Sequence, residues 1–432
     1  MHSPRTWLVV RFAFVFALAP ASSLVLVGCG SSSDAGSSAN DAGIDASSSN
    51  DGGGALDAST ESDVATDSPS AACPRLPAPA DRARKVVISH PFGATAGEKA
   101  KLFEVLDLSA SGTLTRPAVP VTFSMGTALV APIVFTPDGE IGLVAQDDGS
   151  VGVVRIPATG APQVVHAAFK GPFYANTIVV STDGTRAWVL DDNTGNNGGG
   201  VYEVPIGCDG TLGAAKLVVP GGTAHVMALL PGDPGKAVLA AGTAFDSAAT
   251  DDVHLVDLVL KKRVSSAAPF GDTDSIASSV AVTTDGKYAL VADDGIIKGS
   301  RVAVVKIGPP MAAMGLLTTP YPAAIVMSPF GNAALVLNDD STDQIHVMTY
   351  DATNVTTPFT ITGELAYKFG KPQLPFNASL IERGTLKGTT FVAENVAVRQ
   401  ITFDASGVAT DTAKLVTGAD NLSIVGVVGV QP

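Results

Sequence analysis

The chain has 432 residues, of which 46% are hydrophobic, 16% charged and 6% aromatic, with 45 Gly and 28 Pro. That is too apolar for a disordered protein and too rich in glycine for a helical one, so a β-rich globular body is expected. A formal charge of −14 excludes a nucleic-acid surface, and beyond the first 28 positions no apolar run reaches the ~20 residues of a spanning helix.

Residues 1–28 read as a signal peptide. Arg5 and Arg11 form a positive n-region ahead of the apolar stretch Phe12 to Gly28. It ends in Leu26-Val27-Gly28-Cys29, which resembles the lipobox of bacterial lipoproteins, and the resemblance implies that Cys29 becomes the first mature residue and carries acyl chains. Gly30, where family analogy reads an aspartate as inner-membrane retention, implies an outer-membrane lipoprotein that meets the membrane through Cys29 only. The alternative is an uncleaved anchor helix with an incidental cysteine.

Residues 29–72 are Ser, Ala, Gly and Asp with almost no large side chain, a composition that cannot offset its ordering entropy and so predicts a disordered tether. It holds eight acids and no base. Removal of Arg5 and Arg11 leaves 25 basic against 41 acidic residues, a charge of −16, and half of it belongs to the tether. As a flexible coil it reaches ~35–40 Å. With Cys29 committed to lipid, Cys73 and Cys208 remain in an oxidising compartment. They are expected to form a disulfide, the alternative being two unrelated buried thiols.

Residues 73–432 repeat. Phe135-Thr-Pro-Asp138-Gly139, Val180-Ser-Thr-Asp183-Gly184, Leu230-Pro-Gly-Asp-Pro-Gly235, Val282-Thr-Thr-Asp285-Gly286, Met327-Ser-Pro-Phe-Gly331 and a weaker Arg383-Gly-Thr-Leu-Lys-Gly388 place glycines at intervals of 45, 51, 51, 45 and 57. An apolar, β-branched run precedes each and an alternating run follows, which predicts strand, tight turn, strand. A third strand follows each pair, as in Val201-Tyr-Glu-Val204 and Val302-Ala-Val-Val305, and a fourth is readable in places. Four antiparallel strands per ~50 residues predict a propeller blade. Six units carry the turn, while the 360 residues from Cys73 onward suffice for seven. The seventh blade is expected to join Val86–Ser89, Leu102–Leu106 and Gly112–Leu114 to a closing strand from the C-terminal Ser423–Val428, which removes two exposed sheet edges. Six or eight blades are the competing counts.

Val280-Ala-Val-Thr-Thr-Asp-Gly-Lys-Tyr-Ala-Leu-Val-Ala-Asp293 and Pro322-Ala-Ala-Ile-Val-Met-Ser-Pro-Phe-Gly-Asn-Ala-Ala-Leu-Val-Leu-Asn338 resemble the YVTN-type propeller repeat. The resemblance implies a seven-bladed propeller of the kind found in cell-surface proteins and in lactonase-like enzymes. The motif specifies a hairpin and carries no chemistry.

The sequence has no His-Glu-x-x-His, Gly-x-Ser-x-Gly, phosphate-binding loop or Cys-x-x-Cys. His254 and His346 fall within third strands. His225, in Thr223-Ala-His-Val226, is placed at the start of an inner strand near the mouth of the central channel, where the resemblance implies an Arg-His pair; no Arg adjoins it here, and other blades begin with Asn176, Tyr321 and Asn377. Acidic residues follow the second strands: Gln146-Asp147-Asp148, Asp191-Asp192, Asp293-Asp294, Asn338-Asp339-Asp340 and Glu394-Asn395, with Asp251-Asp252 in the fourth blade. By propeller topology these loops share the face of the inner-strand entrances and would form an acidic crown for Ca²⁺ or a basic partner. The opposing reading is that Asp and Asn end strands through Asx turns. The function expected from the sequence is a monomeric binding or scaffolding module for a protein, peptide or glycan at the cell envelope, with no nucleic acid; the alternative is a lactonase-like hydrolase at the channel mouth. Neither identifies a ligand.

Overall fold

The computed structural model describes residues 73–432 apart from 93–98, 130, 192–198, 222–223, 242–252, 272–275, 294–299, 339–342 and 417–424. Residues 1–72, where the sequence predicts the signal peptide, the lipidated Cys29 and the tether, lie outside the described residues, as do Asp192, Asp251, Asp252, Asp294, Asp339 and Asp340.

Seven antiparallel sheets form the blades of an all-β propeller. From the channel outward, blades 2 to 7 run in chain order, with inner strands Val134–Phe135, Ala175–Val180, Ala224–Leu230, Ala277–Val282, Pro322–Met327 and Asn377–Leu380. Blade 1 is composite: the C-terminal strand Val428–Val430 lies innermost, followed by Arg84–Phe92, Lys99–Leu108 and the short outer strands Leu114–Thr115 and Val121–Ser124. The closing strand thus begins at Val428, later than the run from Ser423 predicts. Val425–Val427 still joins the seam, where Ser89 N donates to Val427 O, Gly426 N to Ser89 O and Val427 N to Ser89 Oγ. Both blade faces are buried, which is why the second strands read as continuous apolar runs such as Ala333–Asn338.

The repeated turn has a chemical cause. In blade 2, Thr136 Oγ1 donates to Asp138 Oδ1 at 2.6 Å and accepts from Ile141 N at 3.1 Å, while Glu140 N donates to the same carboxylate oxygen. Ser181 with Asp183 and Thr283 with Asp285 repeat this arrangement. The following glycine takes φ of +76°, +67° or +68°, open to residues without a Cβ. Partial burial would raise these three carboxylates, but the hydroxyl and backbone donors hold each below its ordinary pKa. In blade 4 the turn sits earlier than Gly235, at Pro231-Gly232, because Leu230 pairs directly with Asp233.

An inner strand has one edge without a strand partner, and the preceding blade supplies side chains to it. Asn377 Oδ1 accepts from Val428 N and Ser379 Oγ from Val430 N; Ser279 Oγ accepts from Ile325 N. These bonds tie blade 7 to blade 1 and blade 5 to blade 6 and leave fewer buried donors unpaired.

Residues 73–83 form a strap across the face carrying the first-to-second strand turns. Cys73 is bonded to Cys208 of blade 3, with Cα atoms 5.2 Å apart. Arg75 N donates to Asp183 O, and its guanidinium binds Asp138 Oδ2 at 2.6 Å together with Gly207 O and Cys208 O. Ala78 N then donates to Pro137 O of blade 2, and Asp81 Oδ1 accepts from Thr385 N of blade 7. The strap therefore touches blades 3, 2 and 7 before the chain enters blade 1.

Candidate functional site

The opposite face carries the entrances to the inner strands and the second-to-third strand connections. Of the described residues expected in the acidic crown, four at second-strand ends turn inward. Asp191, Asp293, Asn338 and Glu394 are buried. Asp293 Oδ2 accepts from Arg301 at 2.7 Å, and its Oδ1 accepts from Ile276 N in the crossover that leads into the same blade. Asn338 Nδ2 lies 2.9 Å from His346 Nδ1 and donates to Thr319 Oγ1. Glu394 is paired with Arg399 and with Lys414 at 2.7 Å. Arg399, itself fully buried, also binds Asp411 and donates to Gly370 O, while Asp411 Oδ2 accepts from the backbone N–H of Lys368 and Phe369. The physical reason is common to Asp293, Asn338 and the Glu394–Arg399 pair: a buried strand-end side chain can pin the crossover loop above it, and burial demands a partner.

Asp147 and Asp148 stay nearer solvent. Asp148 Oδ1 accepts from Ser150 N at 3.1 Å and Ser150 Oγ at 2.5 Å, an Asx turn. Burial would raise this carboxyl, but those bonds and the Lys170 charge hold it below its ordinary value. Among the described residues no group of three or more His, Cys, Asp and Glu side chains converges in the manner of a metal site.

Around the channel mouth Asn176, His225 and Ser278 are the second residues of their inner strands, Asn377 is the first of its own, and Tyr321 stands immediately before the strand of blade 6. Asn176 Nδ2 donates to His225 O at 2.9 Å, and Ser278 Oγ to Pro322 O at 2.8 Å. The five described histidines divide by place. His90 and His254 are buried; His166 Nε2 accepts from Leu212 N at 3.1 Å; His346 lies against Asn338; and half-buried His225 stands at the mouth.

One constellation was not expected from the sequence. His90 Nε2 lies 3.1 Å from Glu104 Oε2, and Arg116 also binds Glu104. Burial would raise Glu104, but the His90 and Arg116 bonds and the Arg116 charge keep it below its ordinary value. This has the form of a base with its orienting acid, yet His90 and Glu104 are each 1% exposed in the gap between blades 1 and 7, out of reach of substrate. A cleft of about 400 Å³ lies elsewhere, on the flank between blades 6 and 7, lined by Val347, Thr362, Glu364 and Val408.

No sequence family and no curated protein matches the chain. Solved structures do. The periplasmic gluconolactonase PpgL of Pseudomonas aeruginosa matches with a TM-score of 0.58 at 14% identity, over 81% of this chain and 99% of that one. A candidate 6-phosphogluconolactonase from Bacteroides fragilis gives 0.57 at 15%, over 82% and 99%. A protein from Lactobacillus plantarum gives 0.54 at 15%, over 81% and 100%. At this identity the likeness establishes the fold: the chain is a seven-bladed propeller of the architecture seen in lactonase-type proteins.

Proposed function

We propose that this protein is a lipid-anchored envelope propeller that hydrolyses a sugar-sized lactone at the channel mouth, with His225 as general base. The observation that carries the reading is the place of His225, whose backbone carbonyl is held by Asn176 while the half-buried residue stands at the entrance to an inner strand. A neutral imidazole nitrogen can serve as a general base. It would take a proton from water as the water oxygen adds to the lactone carbonyl. The ring C–O bond then breaks, and the departing oxygen receives that proton, giving an open-chain hydroxy acid. The likeness to gluconolactonases supports this reading by sharing almost the whole of those chains.

The test is a pH-stat assay of D-glucono-1,5-lactone opening above the spontaneous rate. His225→Ala is expected to lower kcat/KM by about 10²–10⁴-fold while the circular dichroism spectrum is unchanged. A wild-type rate equal to the spontaneous one would sink the proposal. A binding module is the second reading, favoured by the commitment of Asn176, Ser278 and Asn377 to backbone partners rather than to the opening; it calls for saturable lactone binding without turnover.

A further inference from the structure

Tyr321 combines two unfavourable choices. Its φ of +29° lies in the left-handed region, which glycine or asparagine adopts at lower cost and an aromatic residue rarely takes. Its side chain, able to bury a large apolar area, is instead part of a residue that is 37% exposed. Strain of this kind persists only where surrounding structure enforces it, and here both flanks are fixed. Pro320 and Pro322 enclose Tyr321; Pro322 O accepts from Ser278 Oγ at 2.8 Å. On the other side Thr319 is 1% exposed, its N–H donates to Ser300 O at 2.9 Å, and its hydroxyl accepts from Asn338. The ring is presented, on a rigid base, at the entrance to the inner strand of blade 6. Core packing does not account for a residue this exposed.

We infer that Tyr321 is a stacking platform for the pyranose ring of a neutral, polyhydroxylated ligand at the channel mouth, an inference that rests on the lactone reading. The face of an aromatic ring carries partial negative charge and attracts the weakly positive C–H edges of a sugar. Asn377, at the entrance of blade 7, is 3% exposed and its Oδ1 is taken by Val428 N, so the groups offered to a ligand at the entrances of blades 3, 4 and 5 are Asn176 Oδ1, the His225 imidazole and a remaining lone pair of Ser278 Oγ, beside the bonds that Asn176 Nδ2 and the Ser278 hydroxyl donate to backbone. These are groups suited to hydroxyls. None of these described groups is a guanidinium or ammonium of the kind that holds a phosphate. Ser278 of blade 5 lies between His225 of blade 4 and Tyr321 of blade 6 in the order of the ring, so one ligand would have the base on one side and the aromatic ring on the other.

The test uses the full chain and methyl α-D-glucopyranoside, a stable pyranose, followed by saturation-transfer NMR. Wild type is expected to transfer saturation to the sugar ring protons. Tyr321→Phe should keep Kd within about twofold and Tyr321→Ala should weaken it by about tenfold or more. Tyr321→Gly, which accepts the positive φ, should lose binding while its Tm rises, separating loss of the ring from loss of fold. Unaltered binding in Tyr321→Ala, or no transfer in wild type, would overturn the inference. Lactone opening assayed in parallel keeps the two claims apart: turnover without sugar transfer overturns the role of Tyr321 alone, and transfer without turnover overturns the hydrolase while upholding the platform.

Discussion

At the scale of single residues, the polar groups of this propeller are mostly engaged in holding loops. Arg399 is the clearest case: with no exposed surface it answers Glu394 and Asp411 at once and reaches Gly370 O in the crossover above. Replacing it with Ala would leave two buried carboxylates with one partner fewer, and a loss of about 3–5 kcal/mol is expected, seen as a fall in the denaturant midpoint. The same residues show where sequence reading reached its limit. A carboxylate at the end of an apolar strand looks alike whether it points to solvent or into the gap between blades. The signal that separates the two is a basic residue five to eight positions on, across the hairpin, as Arg399 follows Glu394 and Arg301 follows Asp293. Tyr321 was visible as a strand entrance, but its strain and exposure were not, since they depend on how its prolines are anchored.

At the scale of elements, the hairpins were legible because their turns have a local cause: a hydroxyl, a carboxylate and a positive-φ glycine within four residues. Contacts between separate blades left less trace in the sequence. His166, in the outer strand of blade 2, accepts a hydrogen bond from Leu212 N in the connection of blade 3 that also holds Cys208. Burial lowers the His166 pKa, against a smaller opposing effect of Asp209. The neutral ring is thus favoured by folding. Its contribution is complete above the unfolded value of about 6.5 and is lost as pH falls through the lower folded value. Between about pH 7.5 and 5.5 the Tm of wild type should therefore drop further than that of His166→Asn, whose side chain does not titrate there. Equal drops in the two proteins would remove this role from His166.

At the scale of the whole molecule, closure depends on the fit of the C-terminal strand between its neighbours. Gly429 pairs with Val87 and lies so close to blade 2 that a Cβ there would come within 2.4 Å of Ile133 O. The contact is to backbone, which cannot turn aside as a side chain would. Gly429→Ala is expected to cost about 1–3 kcal/mol and to raise proteolysis at the C-terminus first. Stability equal to wild type would show that the seam tolerates separation there. The count of blades followed from the repeat, and the partnership of the two chain ends followed from one unpaired strand at each. The later start of the closing strand did not, because Val425-Gly-Val-Val-Gly-Val430 is apolar throughout and offers several registers.

The strap gives the molecule a mechanical polarity. A pull applied to the chain ahead of Cys73 enters blade 3 through a covalent bond to Cys208. It does not arrive first at Arg84–Phe92, the strand that grips the closing segment by hydrogen bonds alone. Tension at that end is carried into blade 3, and the seam between the two chain ends is spared the first of the load.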